Sequence, residues 1–185
     1  MKLTAKKRAG EVKSETKQMR REGNIPAVFY SPGQTGQLIE VNGVDFDAAL
    51  RQIKPGHLST TLFDLDVDGK TEKALVKDIQ YDVTSYRVIH LDFVKLDEKV
   101  PVKVNVPIEF TGVGDCVGIK LGGALRQIIR KVKVKCLPQD IPANFQLDVR
   151  NLKMKQAKRL SDITMPAGVT PVSATDEVVV IIAKR

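Results

Sequence analysis

Phe63-Asp64-Leu65-Asp66-Val67-Asp68-Gly69 decides the fold class of this chain. Apolar and acidic residues alternate, which puts the apolar set on one face of a strand and the carboxylates on the other. Asp68-Gly69 is a favoured two-residue hairpin turn. The spacing therefore predicts a hairpin whose return strand runs through residues 74–79. Working outward, residues 87–93 read as a further strand. Upstream, residues 2–8, 27–30 and 37–41 read the same way, with Gly23-Asn24-Ile25-Pro26 as a turn into the second of these. Ser14 is a candidate N-cap for a short helix that ends near Gly23, the C′ residue. Phe46, Ala49, Leu50 and Ile53 recur at helical spacing, and Pro55-Gly56 stops that helix. Residues 1–95 thus form a first domain of five or six strands with two short helices.

From Lys99 onward the pattern is strand after strand. Val102, Val104, Val106, Ile108 and Phe110 alternate with polar residues or proline, and Val132, Val134 and Cys136 alternate with Lys131, Lys133 and Lys135. Phe145, Leu147 and Val149 follow, and residues 178–183 make a last strand. Residues 96–185 read as a second, all-β domain, joined at residues 96–100. The glycine cluster Gly112, Gly114, Gly118, Gly122 and Gly123 reads as a long inter-strand loop with Lys120 open to a partner. It matches no phosphate-loop pattern. Asp64-x-Asp66-x-Asp68-Gly69 imitates the start of a calcium loop. Its twelfth position is Leu75, where a glutamate is needed, so an acidic outer strand face is the better account.

The chain has 185 residues and a net charge of +8. Residues 1–21 carry eight Lys/Arg against two Glu, residues 22–95 seven against eleven, and residues 96–185 fifteen against nine. A cationic arm on a mildly acidic domain marks a binding face for a polyanion. No segment approaches a membrane span, and the start lacks the apolar run of a secretory signal. Two cysteines, Cys116 and Cys136, are too few for a disulfide scaffold or zinc site and fit a reducing cytosol.

Two stretches carry the chemistry. Arg20-Arg21-Glu22-Gly23-Asn24-Ile25-Pro26-Ala27-Val28-Phe29-Tyr30 supplies two guanidinium groups and a tyrosine, and Val88-Ile89-His90-Leu91-Asp92-Phe93 puts an imidazole and a carboxylate on one strand face. These groups suit the phosphates and base edges of a folded RNA. By spacing alone His90-x-Asp92 is open to a structural pair, an RNA contact or a base oriented by a carboxylate. The last is weakest, because no second histidine lies nearby and no nucleophile elbow appears. His57 follows Pro55-Gly56 in a solvated loop. A His90/Asp92 hydrolase and a stress or interaction protein whose second domain binds another protein are the alternatives. No cofactor or metal is called for.

Arg20-Arg21-x-Gly23-x-Ile25-Pro26-Ala27-Val28-x-Tyr30 with His90-x-Asp92-Phe93 resembles the bacterial large-subunit ribosomal protein family that binds 5S ribosomal RNA. Gly118-Ile119-Lys120-Leu121-Gly122-Gly123, Cys136-Leu137-Pro138-Gln139-Asp140-Ile141-Pro142 and Leu147-Asp148-Val149 resemble the C-terminal β domain of its long form, the general stress protein CTC type. The resemblance implies a mainly β protein: an N-terminal six-stranded β-barrel with two or three short helices, and a C-terminal all-β domain. It implies a barrel that docks in the minor groove of an internal-loop region of 5S rRNA. The matching contact set is Arg8, Arg21, Tyr30, His90 and Asp92, with Arg20 and Lys13 as phosphate neighbours. The implied partners are 5S rRNA and the surrounding large ribosomal subunit, with no membrane, in the cytoplasm, for a protein that is monomeric off the ribosome and not an enzyme.

Overall fold

The structure is a computed structural model that describes every residue except Ala9, Glu11, Pro32, Gln34 and Arg185. Pro32, expected to help close a strand, lies outside the described residues. The chain divides into two compact units, Met1–Val102 and Lys103–Arg185.

The first unit is built from β1 (Lys2–Lys7), α1 (Lys13–Arg21), β2 (Asn24–Tyr30), β3 (Gln37–Asn42), α2 (Gly43–Gln52), β4 (Leu62–Val67), β5 (Lys70–Tyr81) and β6 (Val88–Lys95). The six strands close into a barrel in the order β1-β3-β2-β6-β5-β4. The β4–β5 hairpin forms as its alternation predicts. Val67 faces Lys70, and Asp68 and Gly69 take φ of 51° and 85°, the left-handed conformation that a tight hairpin turn requires. The barrel closes through a parallel ladder of β1 on β4, and a second parallel ladder joins β2 to β6. Asp64 lies 3.8 Å from the Met1 ammonium, Asp66 3.8 Å from Lys2 and Asp68 3.6 Å from Lys7. The acidic stripe is thus balanced by the neighbouring strand.

Phe46, Phe63 and Phe93 fill the barrel, with ring centroids 6.4 Å and 6.3 Å apart. Phe46 comes from α2, whose apolar face also lays Ala49, Leu50 and Ile53 against the core. The Asn42 side chain caps that helix by accepting from Val44 N at 2.9 Å. Helix α1 corrects one expectation. Ser14 is its second residue, not its N-cap; Val12 holds the cap position and makes no side-chain capping bond. Gly23 ends the helix as expected, at φ 87°. The segment expected to turn, Asn24–Pro26, already belongs to β2. Pairing with β3 begins at Asn24, whereas β6 joins only from Ala27. Pro26 therefore lacks its donor where one flank of the strand is open.

From β7 (Val102–Thr111), whose first residue is the last of the first unit, the second unit continues with α3 (Val117–Lys120), β8 (Gly123–Gln127), β9 (Lys131–Cys136), β10 (Phe145–Asp148), β11 (Ala157–Arg159), β12 (Thr170–Pro171) and β13 (Val178–Lys184). Four strands form one sheet, β10-β7-β9-β12, and three form another, β11-β13-β8. Both contribute buried residues, among them Val106, Val134, Leu147, Val179 and Ile182. The glycine cluster is not a long loop. It folds into a 3-10 turn, Val113–Asp115, then α3 and β8. Val117 N and Gly118 N donate to Arg150 O and Leu152 O at 3.1 and 2.9 Å, so neither amide is spare for a phosphate. Lys120 pairs with Asp115 at 3.2 Å.

Candidate nucleic-acid interface

Two β-bulges shape the outer wall of the barrel. On β5, Val76 faces Phe93 and Asp78 faces Asp92, so Lys77 is an extra residue. On β6, Gln80 faces His90 and Tyr81 faces Val88, so Ile89 is extra. A bulge resets the inward–outward alternation and re-aims the side chains beyond it. Ala74, Val76 and Ile79 all reach the core, although strict alternation would turn Ile79 outward. Asp78 and Gln80 are exposed instead. Likewise Val88, Leu91 and Phe93 pack on the core while His90 and Asp92 face out.

The parallel partner of β6 is β2. Ala27 and Phe29 are buried in the core, so Val28 and Tyr30 lie on the outer wall, with Val28 directly beside Asp92. Tyr30 is therefore the diagonal neighbour of Asp92. Its phenol is pushed above the ordinary tyrosine value, first by burial and then by the charges of Asp92 and Asp78. At neutral pH it keeps its proton and offers a donor.

His90 Nδ1 lies 2.8 Å from Asp92 Oδ1. A carboxylate only accepts, so Nδ1 carries the proton and donates. With Nδ1 so engaged, Nε2 is the ring atom left to meet a ligand. The side chains are 22% and 33% exposed, open enough for Nε2 and the second Asp92 oxygen to meet a ligand. Asp92 also faces Asp78 directly across the ladder. Like charges opposed on neighbouring strands destabilise a sheet, so this pair is a concentration of acceptors kept against the interest of the fold.

The bulge at Ile89 also positions the cationic helix. Arg20 Nε donates to the Ile89 carbonyl at 3.1 Å. An extra residue leaves the ladder locally unpaired, and the guanidinium takes up that acceptor one residue before His90. Arg20, expected only as a neighbour, is thus the arginine tied to the His90 strand. Arg21 is exposed, and its side chain makes no hydrogen bond or ion pair among the described residues. Lys13 is exposed at the other end of α1, about 11 Å along the helix from Arg20.

Arg8 approaches from the opposite flank. Its backbone N donates to Leu38 O at 3.0 Å; Leu38 faces Val28, and Val28 faces Asp92. Three strand spacings, about 14 Å around the wall, separate Arg8 from Asp92. Arg8 is half-buried. Its Nη1 donates to Gly10 O at 3.2 Å, and its buried Nε has no partner among the described residues. Such an orphaned donor is costly unless something fills its site.

The sequence reading missed Asp78 and Gln80. Neither residue type nor spacing announces them, because their orientation depends on the bulge at Lys77. No group of three or more His, Cys, Asp or Glu among the described residues is arranged to hold a metal ion. No helix among the described residues is long and apolar enough to cross a membrane.

Comparison with known proteins covers both units. Residues 3–93 match the Ribosomal L25p family, and residues 101–185 match the Ribosomal protein TL5, C-terminal domain family. The chain is 49% identical to Large ribosomal subunit protein bL25 of Chlamydia caviae, 48% to that of Chlamydia abortus and 45% to that of Chlamydia pneumoniae, each over 185 residues and the full length of both chains. Membership of a structural, non-enzymatic ribosomal family sets aside the hydrolase and non-ribosomal readings and gives the cytoplasmic ribosome as the location. With the barrel, the second β unit and full-length identity all in agreement, the chain belongs to the L25p family of large-subunit ribosomal proteins, in its two-domain form with a TL5-type C-terminal domain.

Proposed function

We propose that this ribosomal protein binds 5S rRNA through the outer wall of its barrel, at residues 1–95, and that Arg8, Arg20, Arg21, Tyr30, His90, Asp92 and Lys13 carry the contact, joined by Gln80. The carrying observation is that the Lys77 bulge turns Gln80 onto the wall where strand alternation sets His90, Asp92 and Tyr30, while the Ile89 bulge anchors Arg20 alongside. An RNA minor groove is wide and shallow and displays 2′-hydroxyls and base edges. A curved wall with donors (Tyr30, Gln80, the arginines) and an acceptor (Asp92) beside His90 Nε2 is chemically complementary to it. The arginines and Lys13 hold phosphates and give affinity without sequence information; the His90/Asp92 pair reads amino and imino donors and gives selectivity.

The test is fluorescence anisotropy of the full chain with 5S rRNA, and with the same RNA whose internal loops are replaced by continuous duplex. Tight binding to the first, weaker binding to the second, and loss of that difference in His90→Ala are expected. Equal binding to both RNAs by the unaltered chain overturns the proposal.

A further inference from the structure

The second unit carries a charged surface that the barrel site does not use. Strand β9 alternates Lys131, Lys133 and Lys135, all exposed, with Val132, Val134 and Cys136, all buried. Sheet geometry fixes the three ammonium groups on one face, about 13 Å from first to last. On the β12 side, Thr170 faces Lys135 and Val172 N donates to Lys133 O, so the strand beside them brings no charge.

Of the seven carboxylates of the unit, Glu109 on the other flanking strand, β7, accepts from Asn144 Nδ2 at 2.6 Å, and three more are engaged away from β9. Asp115 pairs with Lys120, Asp148 lies 3.5 Å from Arg150 Nε, and Asp162 accepts from Arg159 N. None of the three lysines has an ion-pair partner among the described residues. Residues 103–185 hold fourteen basic and seven acidic groups, a net of +7. The same chain supplies a contrast. The alternating acidic stripe on β4 is matched residue by residue from β1. Where alternation serves only the fold, the charges are balanced internally; on β9 they are left open.

We propose that the β9 lysine row is a second RNA contact, independent of the barrel wall, in which Lys131, Lys133 and Lys135 lie along the phosphodiester backbone of the large ribosomal RNA. The occupant follows from charge complementarity. A phosphate every few ångströms along a strand meets a straight row of unneutralised ammonium groups, and lysine serves as a point charge without base selectivity. The row sets affinity and position, not sequence preference.

The test uses the full chain and a protein-free transcript of the large rRNA with no 5S rRNA present. Unaltered protein should bind with a steep salt dependence. Lys131→Ala/Lys133→Ala/Lys135→Ala should weaken binding by about tenfold or more and flatten the log–log salt slope by about 2. The triple Lys→Arg variant should retain binding, and the triple Ala variant should keep its thermal midpoint, because all three side chains are exposed. The triple Ala variant should still prefer 5S rRNA over the form with its internal loops replaced by duplex, which separates failure here from failure of the barrel reading. Unchanged affinity and slope in the triple Ala variant overturn the inference. So does a triple Ala variant that binds the transcript normally yet fails to join reconstituted subunits, since that points to an acidic protein neighbour.

Discussion

Asp92→Asn separates what the fold wants from what recognition wants. Asparagine keeps an oxygen for His90 Nδ1, now 2.8 Å from Asp92 Oδ1, but removes one of two carboxylates that face each other across β5 and β6. Opposed like charges on a sheet cost about 0.2–1 kcal/mol. The substitution should therefore leave the barrel as stable as before or raise its stability by up to that amount. For a domain of this size that is an upward shift in thermal midpoint of up to about 4–8 °C. Recognition should move the other way. A charge-assisted hydrogen bond contributes about 1.5–3 kcal/mol, and an amide places a donor where RNA donors point. Preference for 5S rRNA over an RNA of equal length with a scrambled internal loop should fall about 10- to 100-fold. Affinity for the scrambled RNA should hold or rise slightly, since one repulsive charge is gone. The assay is anisotropy with both RNAs at matched salt, alongside a calorimetric melt. An equal loss on both RNAs, with a lower melting point, would refute the reasoning and leave Asp92 as a scaffold for the imidazole.

Arg21→Ala should weaken binding to every RNA tested and reduce the salt slope by about 0.7–0.9, read from titrations at several salt concentrations. Tyr30→Phe should change alkaline stability. The raised phenol favours the protonated form in the folded state, so its contribution is complete below the ordinary tyrosine value and is lost as pH rises through the folded one. Urea midpoints measured from pH 8 upward should fall less steeply for the variant, though not flatly, because Tyr81 is also raised by burial. Gly43→Ala should destabilise the barrel by about 1–3 kcal/mol in urea unfolding, because the new methyl would sit 2.2 Å from the Gly23 carbonyl oxygen, a backbone atom that cannot move aside.

The strand pattern, the hairpin turn and the apolar face of α2 were legible because each is a local consequence of residue type. So were Tyr30, His90 and Asp92 as a shared set, through period-two spacing and the resemblance. Asp78 and Gln80 were not. An inserted residue such as Lys77 has no composition of its own, and alternation read without it sends Asp78 inward behind Val76. The same holds for Arg20, whose role comes from the carbonyl that the Ile89 bulge frees. Asn24–Pro26 misled because Gly-Asn-x-Pro favours a turn locally, while pairing with β3 decides the outcome. Strand β8 carries a weak signal, being half-buried and led by glycine, and forms because β13 pairs with it along its length.

The parallel ladder between β2 and β6 has a consequence for how the protein comes into being. Tyr30 and Asp92 are diagonal neighbours across this ladder, yet more than half of the first unit separates them along the chain. Contacts so distant in sequence form late, after the loop-closing entropy has been met. A nascent or partly opened chain would have cationic segments able to cling to any polyanion, but no selective surface. An RNA that engages only the completed wall draws the population toward the closed barrel by mass action. Assembly would then act as a check on maturation, with chains that fail to finish folding left outside the particle.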